Sequence, residues 1–156
     1  MTVRRILKWI LIIVVCLFIA AQFYRPAKTN PPVNQSMTLE SHTQVTPEVA
    51  AILNRSCKDC HSYNTHWPWY THVAPVSWLV IDDVNDGRDH LNLSDWGQYD
   101  KSEAASKLRD MCREVRAGDM PLKSYSFVHR GTKLSNEEVQ VLCNWINTER
   151  GKLTSP

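Results

Sequence analysis

The residues of this chain best suited to chemistry lie at positions 57–61, in the order Cys-Lys-Asp-Cys-His. Two thiols three residues apart on a helical turn can add across the two vinyl groups of a haem. A histidine directly after them then lies under the iron as its proximal ligand. The pattern predicts haem c, covalently attached through Cys57 and Cys60, with His61 bound to the iron.

Two other uses of a Cys-x-x-Cys pair fit the rest of the chain less well. A thioredoxin-like dithiol does not need the histidine and follows a strand within a βαβ pattern, which is not visible here. A structural zinc site needs a second pair of ligands, and the remaining Cys112 and Cys143 are isolated in the sequence. Haem attachment is favoured, with zinc or dithiol chemistry as the alternative.

An electron carrier with a low-spin iron needs a second axial ligand. The candidates are Met111, Met120 and the histidines at 66, 72, 90 and 129. Met120 lies in a loop between Gly118 and Pro121, where no helix restricts the direction of its thioether. Met111 lies on the apolar stripe of a predicted helix, which favours a packing role. We therefore expect His61 and Met120 to be the two metal ligands.

Four segments have the apolar periodicity and the end signals of helices. In chain order they are one from 46 to the haem motif, one over about 76–86, one from 100 or 102 to 118, and one over 135–151. Thr46 and Pro47 form a helix start, Ser135 and Glu138 form a capping box, and Gly151 is the expected end of the last helix. No segment alternates as a strand does, so the predicted class is all-α.

The N-terminal part of the chain differs in composition from the rest. Residues 6–23 are nearly all apolar and would form a helix of about 27 Å, barely the thickness of a bilayer core. The basic residues around them also suit a signal peptide, but the cleavage site is poor, which favours an uncleaved transmembrane helix. Three regions are predicted: 1–24, a membrane anchor or signal segment; 25–45, a flexible periplasmic linker; and 46–156, a c-type haem-binding domain.

Overall charge is close to balanced, with 18 Lys and Arg against 16 Asp and Glu. Nothing in this distribution indicates a nucleic-acid partner. A locally acidic stretch is either a solvated helix face or a docking surface for a basic redox partner, and it consists of Asp82, Asp83, Asp86, Asp89, Asp95 and Asp100.

The order of these motifs resembles that of a class I c-type cytochrome, with a proline at 75 after the Cys-x-x-Cys-His motif and a Met-Pro loop before a capped helix. More narrowly, it is similar to the bacterial haem-binding domain family. That similarity rests on the segments Trp-Pro-Trp-Tyr at 67–70, Ala-Pro-Val-Ser-Trp at 74–78, Leu-Asn-Leu-Ser-Asp-Trp at 91–96 and Met-Pro-Leu-Lys-Ser-Tyr at 120–125. The resemblance covers about residues 46–150.

The resemblance implies a small cytochrome c-like helical fold and haem attachment outside the bacterial cytoplasmic membrane. The N-terminus would then lie inside and the domain in the periplasm. It also implies that a proline carbonyl orients the imidazole of His61, a role expected for Pro75, with Pro68 as the alternative. Trp67 and Trp69 directly follow the motif and are expected to shield the porphyrin edge from water, although core packing explains them equally well.

Cys112 and Cys143 each lie on the apolar stripe of their own predicted helix. They can face each other across a packed helix pair, and the implied periplasm is oxidising, so an intramolecular disulfide is expected.

The function that follows is a membrane-tethered monohaem cytochrome domain that passes single electrons to unidentified redox proteins and is not an enzyme. The main alternative is a haem-based sensor or small peroxidase with an open or labile distal site, for which His129 and Arg130 lie near Met120 in the sequence. A module that uses haem only as a folding core is a third possibility.

Overall fold

The computed structural model describes residues 3–154 and is all-helical in that range. The helices are α1 (Val3–Ala21), α2 (Leu39–His42), α3 (Pro47–Ser56), α4 (Lys58–His61), α5 (Val76–His90), α6 (Lys101–Ala117), α7 (Lys123–Val128) and α8 (Asn136–Thr154). Short 3-10 turns occur at Gln35–Met37, Trp69–His72 and Trp96–Gln98. The predicted all-α class is confirmed.

Local capping explains where the main helices begin. The Thr46 side chain accepts a hydrogen bond from the Val49 amide at 3.3 Å and so starts α3. Ser135 and Glu138 form the predicted capping box, in which each side chain accepts from the other residue's amide, at 3.2 and 2.9 Å. The predicted end of α8 at Gly151 was wrong, because the helix continues to Thr154 and a glycine within a helix only weakens it.

The core lies between α3, α6 and α8. Leu53 of α3, Leu108 of α6 and Leu142 of α8 are fully buried within one apolar cluster. Burying a leucine side chain contributes roughly 1.5–3 kcal/mol, so this shared apolar cluster is a main source of stability. The indole N–H of Trp145 donates to the Gln44 carbonyl at 2.9 Å and closes the start of α3 onto α8.

Residues 25–45, predicted as a flexible linker ahead of the domain, pack against it in the structure. Leu39 is fully buried in the core, and its amide donates to the Leu93 carbonyl at 2.8 Å. Lys28 donates to the Thr71 carbonyl at 3.2 Å, and Asn30 donates to the Thr65 carbonyl at 2.8 Å. The polar composition of the segment suggested that it is solvated. In the structure, however, its side chains form hydrogen bonds with the domain, so contacts with the domain begin before Thr46.

Helix α1 is apolar and its side chains are exposed. No helix within residues 3–154 is long and apolar enough to cross a membrane. The predicted transmembrane helix is therefore not supported. Arg4, Arg5 and Lys8 lie within α1, and its uncharged remainder from Trp9 to Ala21 is about 20 Å long, against a hydrocarbon core of about 30 Å.

The residues that directly follow α1 contact the chain at the start of α5. The Gln22 amide group donates to the Ala74 carbonyl at 3.1 Å and accepts from the Ala74 amide at 3.0 Å. The Trp78 indole N–H donates to the Tyr24 carbonyl at 2.9 Å.

Cys112 of α6 and Cys143 of α8, the expected disulfide pair, are joined by a disulfide with an S–S distance of 2.00 Å. The bridge connects two helices that already pack along the core, and it closes a loop that contains Met120 and α7. Cross-linking residues 31 apart in sequence removes conformational freedom from the unfolded chain.

Replacing both Cys112 and Cys143 with alanine should lower the free energy of unfolding by about 3–4 kcal/mol, since the loop is no longer closed in the unfolded state. Denaturant unfolding would measure the loss, with Cys16→Ala as the control because that thiol is free and exposed. Alkylation of both Cys112 and Cys143 in the untreated, denatured protein would show that the bridge does not form.

Candidate functional site

The Cys-x-x-Cys-His motif lies on a short helix that follows α3 directly. Helix α3 ends at Ser56, and Cys57 turns the chain with φ −126° and ψ −44° into α4. The Cys57 amide donates to the Leu53 carbonyl at 3.0 Å, and the His61 amide donates to the Cys57 carbonyl at 3.0 Å. One helical turn therefore carries Cys57, Cys60 and His61, as their spacing predicts.

These three side chains line one cavity of about 570 Å³. Its walls come from the end of α3, from α4, α5 and α6, and from the loop into α7. The lining residues are Ser56, Cys57, Cys60, His61, Asp83, Asp86, Gly87, His90, Leu91, Lys107, Asp110, Met111, Arg113, Glu114, Val115, Met120, Pro121, Leu122 and Tyr125. A mostly apolar cavity of this size with a few convergent polar groups is typical of a cofactor site.

The His61 ring is held from one side by two backbone carbonyls. Its Nδ1 lies 2.8 Å from the Gly87 carbonyl oxygen and 3.0 Å from that of Leu91, so Nδ1 carries the proton and donates. The other ring nitrogen, Nε2, remains for a metal bond. Burial lowers the pKa of His61, which keeps the imidazole neutral and its lone pair available.

Pro75 does not make this contact, so its predicted role was wrong. Its carbonyl accepts instead from the Trp78 amide at 3.1 Å, in the first turn of α5. The Pro68 carbonyl accepts from the Thr71 amide at 3.0 Å. The physical reason is chain geometry, because the carbonyls that reach His61 lie at the far end of α5. The Gly87 carbonyl also accepts from the Leu91 amide at 2.9 Å, and Leu91 directly follows the helix.

Gly87 has a second role, because it lets α5 approach the motif closely. A Cβ atom at this position would lie 2.8 Å from the Cys60 carbonyl oxygen and 3.1 Å from the Cys60 Cβ. Both Cys60 atoms belong to the haem motif, so only glycine allows this contact. An isolated glycine inside a helical segment is a sequence signal that could have indicated this close approach.

Arg88, the next residue, fixes the segment that follows the motif. Its guanidinium donates to the Ser62 carbonyl at 2.8 Å, to the Thr65 hydroxyl at 2.8 Å and to the Thr29 carbonyl at 2.8 Å. It also lies over the Tyr63 ring at 5.4 Å from its centre. One side chain therefore joins α5, the chain after His61 and the segment before α2.

Met120 lies on the wall formed by the end of α6. Gly118 ends that helix with φ 76°, and the amides of Asp119 and Met120 donate to the Glu114 carbonyl at 3.1 and 3.3 Å. These bonds hold the Met120 backbone at the cavity. Met111 and His90 also line it, whereas His66, His72 and His129 are not among its lining residues.

Trp67 and Trp69 do not line the cavity, contrary to the expectation that they shield a porphyrin edge. Trp69 is 78% exposed, and the Trp67 indole N–H donates to Asn30 at 3.3 Å. The chain turns away from the cavity after His61, so proximity in sequence did not predict proximity in space. Leu91, Leu122 and Tyr125 provide the bulky apolar lining instead.

The two thiols are held in the protonated form. Burial, then the neighbouring Cys60, raises the pKa of Cys57 to about 12. Burial, then the nearby Asp83 and Asp59 carboxylates, raises the pKa of Cys60 to about 11.

Nowhere in residues 3–154 do three His, Cys, Asp or Glu side chains form a group that could hold a metal ion.

Charged residues at the cavity fall into two sets. Arg113 of α6 pairs with Asp110 at 2.6 Å and with Glu114 at 2.8 Å. Asp83 and Asp86 of α5 have no ion pair among the described residues, and burial, followed by the charges of Asp82 and Asp86, raises the pKa of Asp83. The α5 side of the cavity is therefore acidic, and the α6 side is nearly neutral.

Residues 16–148 match the model of a haem-binding domain family. No curated protein and no solved structure shows significant similarity to the chain. The matched range includes the motif and every residue that lines the cavity.

The variant Gly87→Ala should disturb the site, because its Cβ would force α5 away from Cys60 and move the carbonyls that hold His61. We expect a loss of about 1–3 kcal/mol in the free energy of unfolding, together with a lower haem content per chain. Denaturant unfolding and absorbance of bound haem would measure both effects.

Gly151→Ala is the matched control, because that glycine also lies in a helix and a Cβ there meets nothing within 4 Å. It should leave haem content unchanged and stabilise the protein slightly, by roughly 0.5–1 kcal/mol. Equal effects of the two variants would contradict the close-contact role of Gly87.

Proposed function

Because the chain belongs to the haem-binding domain family, we propose that it is a c-type monohaem protein that exchanges single electrons with redox partner proteins and does not catalyse a reaction. Cys57 and Cys60 would form the thioether bonds, and His61 and Met120 would be the axial ligands. The bound haem would supply one-electron chemistry at its iron. The single observation that supports this proposal best is that both thiols, His61 and Met120 line one cavity.

The residues fit such a group in their chemistry. Both thiols are protonated, and attachment requires that each S–H adds across a vinyl double bond, so the sulfur gains a carbon and the hydrogen moves to the other vinyl carbon. The apolar part of the lining suits a porphyrin ring, and Lys107 and Arg113 on α6 offer cationic partners for propionate groups. The hydrogen-bonded His61 keeps one ring orientation, which a proximal ligand requires.

The sensor or peroxidase alternative requires an open or easily opened distal position. His129, which suggested it from the sequence, is hydrogen-bonded to the Tyr70 hydroxyl and stacked on Tyr125, with ring centres 4.4 Å apart. The backbone bonds from Asp119 and Met120 to Glu114 favour a fixed Met120. These contacts favour the electron-carrier proposal.

The decisive experiment is the visible spectrum of the full chain, produced with haem in a bacterial periplasm and reduced with and without carbon monoxide. Acid extraction that leaves haem on the chain would establish covalent attachment. If both axial positions are filled, the spectrum should not respond to carbon monoxide. A ready response would favour the sensor or peroxidase alternative.

Met120→Leu should convert the reduced protein into one that binds carbon monoxide, because leucine keeps the volume and removes the sulfur. Met111→Leu is the matched control, since Met111 also lines the cavity and is 8% exposed. It should leave the spectrum unchanged. If the reduced Met111→Leu variant binds carbon monoxide and Met120→Leu does not, Met111 is the ligand. If neither variant binds carbon monoxide, His90 is favoured as the ligand.

We also propose that α1 attaches the domain to the bacterial cytoplasmic membrane, with the domain facing the periplasm, where haem c is attached. An apolar helix can be held at a bilayer without spanning it, through its buried apolar area and nearby basic residues. Ile13 and Leu17 are 55% and 64% exposed in the structure, although such side chains normally avoid water.

The double variant Ile13→Lys/Leu17→Lys should move the full chain from the membrane fraction to the supernatant after cell lysis, because two charges oppose insertion into the bilayer. Asn147→Lys, at an exposed position of α8, is the control for adding charge to a helix. Unchanged partition of the double variant would exclude α1 as the attachment.

A further inference from the structure

Aromatic side chains form a continuous row between the cavity and the protein surface. Tyr125 lines the cavity and stacks on His129, with ring centres 4.4 Å apart and planes at 21°. His129 Nε2 is hydrogen-bonded to the Tyr70 hydroxyl, and Tyr70 meets Trp69 edge to face at 5.9 Å. Trp69 is 78% exposed. Four side chains from two separate chain segments are therefore in consecutive contact.

Core packing does not explain the outer end of this row. Trp69 is mostly exposed, and so are Phe127 at 86% and Val128 at 55%, on the same short helix as Tyr125. A patch of neighbouring exposed apolar side chains, rather than a single one, marks a site of interaction. Lys123, Arg130 and Lys133 are exposed in and just after this helix, so the apolar positions have basic neighbours.

The α5 side of the cavity has the opposite charge. Asp83 and Asp86 line it without ion pairs among the described residues, and Asp82 and Asp89 are exposed on the same helix. A protein with an acidic surface would be repelled from α5 and attracted to the basic segment around α7. The charge of a partner's surface therefore determines whether it approaches along α5 or along α7.

At the inner end of the row, the Tyr125 hydroxyl keeps its proton. The Tyr125 hydroxyl donates to the Asp59 carboxylate at 2.7 Å, and Asp59 is part of the haem motif. Burial, then the hydrogen bond to Asp59, raises the pKa of Tyr125. The Tyr125 ring can therefore contribute its π-system without losing a proton.

We propose that Trp69, Tyr70, His129 and Tyr125 connect the cavity to a docking face for an electron-transfer protein whose surface is acidic around its redox centre. The proposal rests on the proposed function. One electron leaves the reduced centre of that partner and reduces the ferric iron in the cavity to the ferrous state. No bond forms or breaks and no proton moves, because the aromatic rings only couple donor and acceptor electronically.

The test uses the full chain matured with haem and two small one-electron donors of opposite charge. The semiquinone of flavin mononucleotide, generated by a laser flash, is planar and anionic and mimics the proposed partner. The methyl viologen radical is cationic and favours the acidic α5 side. The reduction rate of the bound haem is measured with each donor in Trp69→Ala, Trp69→Phe and Phe23→Ala.

Trp69→Ala should slow reduction by the flavin by roughly threefold or more and leave reduction by viologen unchanged. Trp69→Phe should restore most of the flavin rate, because it keeps an aromatic ring. Phe23→Ala, an aromatic residue 84% exposed and outside the row, should change neither rate. The flavin rate should also fall with ionic strength, because attraction between opposite charges is screened.

Three further readouts do not depend on the rate of electron transfer. The visible spectrum and the reduction potential of Trp69→Ala should equal those of the unaltered protein. In NMR titrations with oxidised flavin mononucleotide, the signals of Trp69 and Phe127 should shift more than those of residues on α5.

An unchanged flavin rate in Trp69→Ala would overturn the docking face, as would equal slowing with both donors or flavin-induced shifts centred on α5. Failure of the proposed function would look different, because no variant would then carry covalent haem or accept an electron from either donor.

Discussion

The close backbone contact between α4 and α5 is the constraint on which the site depends. At Gly87, the missing side chain allows α5 to lie against Cys60, and the carbonyl accepts a hydrogen bond from His61. The carbonyls at the C-terminal end of a helix carry partial negative charge. Gly87 and Leu91 therefore orient the His61 imidazole and also make its other nitrogen a better electron donor to a metal.

The opposite wall of the cavity has a different origin. Met120 follows α6, and the Met120 amide is hydrogen-bonded to the Glu114 carbonyl of that helix. The Cys112–Cys143 disulfide joins α6 to α8. The two walls are linked through α3, which carries the motif at its end and contributes Leu53 to the apolar cluster that includes side chains of α6 and α8. The separation of His61 and Met120 is thus set by core packing. The Arg55–Glu138 ion pair at 2.8 Å also joins α3 to α8, but it is partly exposed and contributes little.

Local patterns predicted the motif, the helix starts at Thr46 and Ser135, and the helical class, because each depends on residues close together in sequence. Pro75, Trp67 and Trp69 were assigned by analogy or by nearness to the motif, and the chain leaves the cavity between His61 and α5. Long-range contacts decide such positions. Gly87 and Arg88 were not identified, although a glycine inside a helix is a readable signal for a close approach. The segment before Thr46 has too few apolar residues to reveal that Leu39 is buried.

The charged and the apolar parts of the cavity lining would have opposite effects on the reduction potential of a bound haem. In the proposed haem protein, Asp83 and Asp86, which have no ion pair among the described residues, would stabilise the more positive, oxidised iron, whereas the apolar part of the lining and a thioether ligand would favour the reduced state. The reduction potential of such a haem would thus depend on the balance between the α5 carboxylates and the Met120 wall. If the partner docked on α5, its own charges would alter that balance on every encounter. An approach through α7, as proposed, would place partner charges on the far side of Tyr125, His129 and Tyr70, where they would perturb a bound iron less because Coulomb interactions weaken with distance.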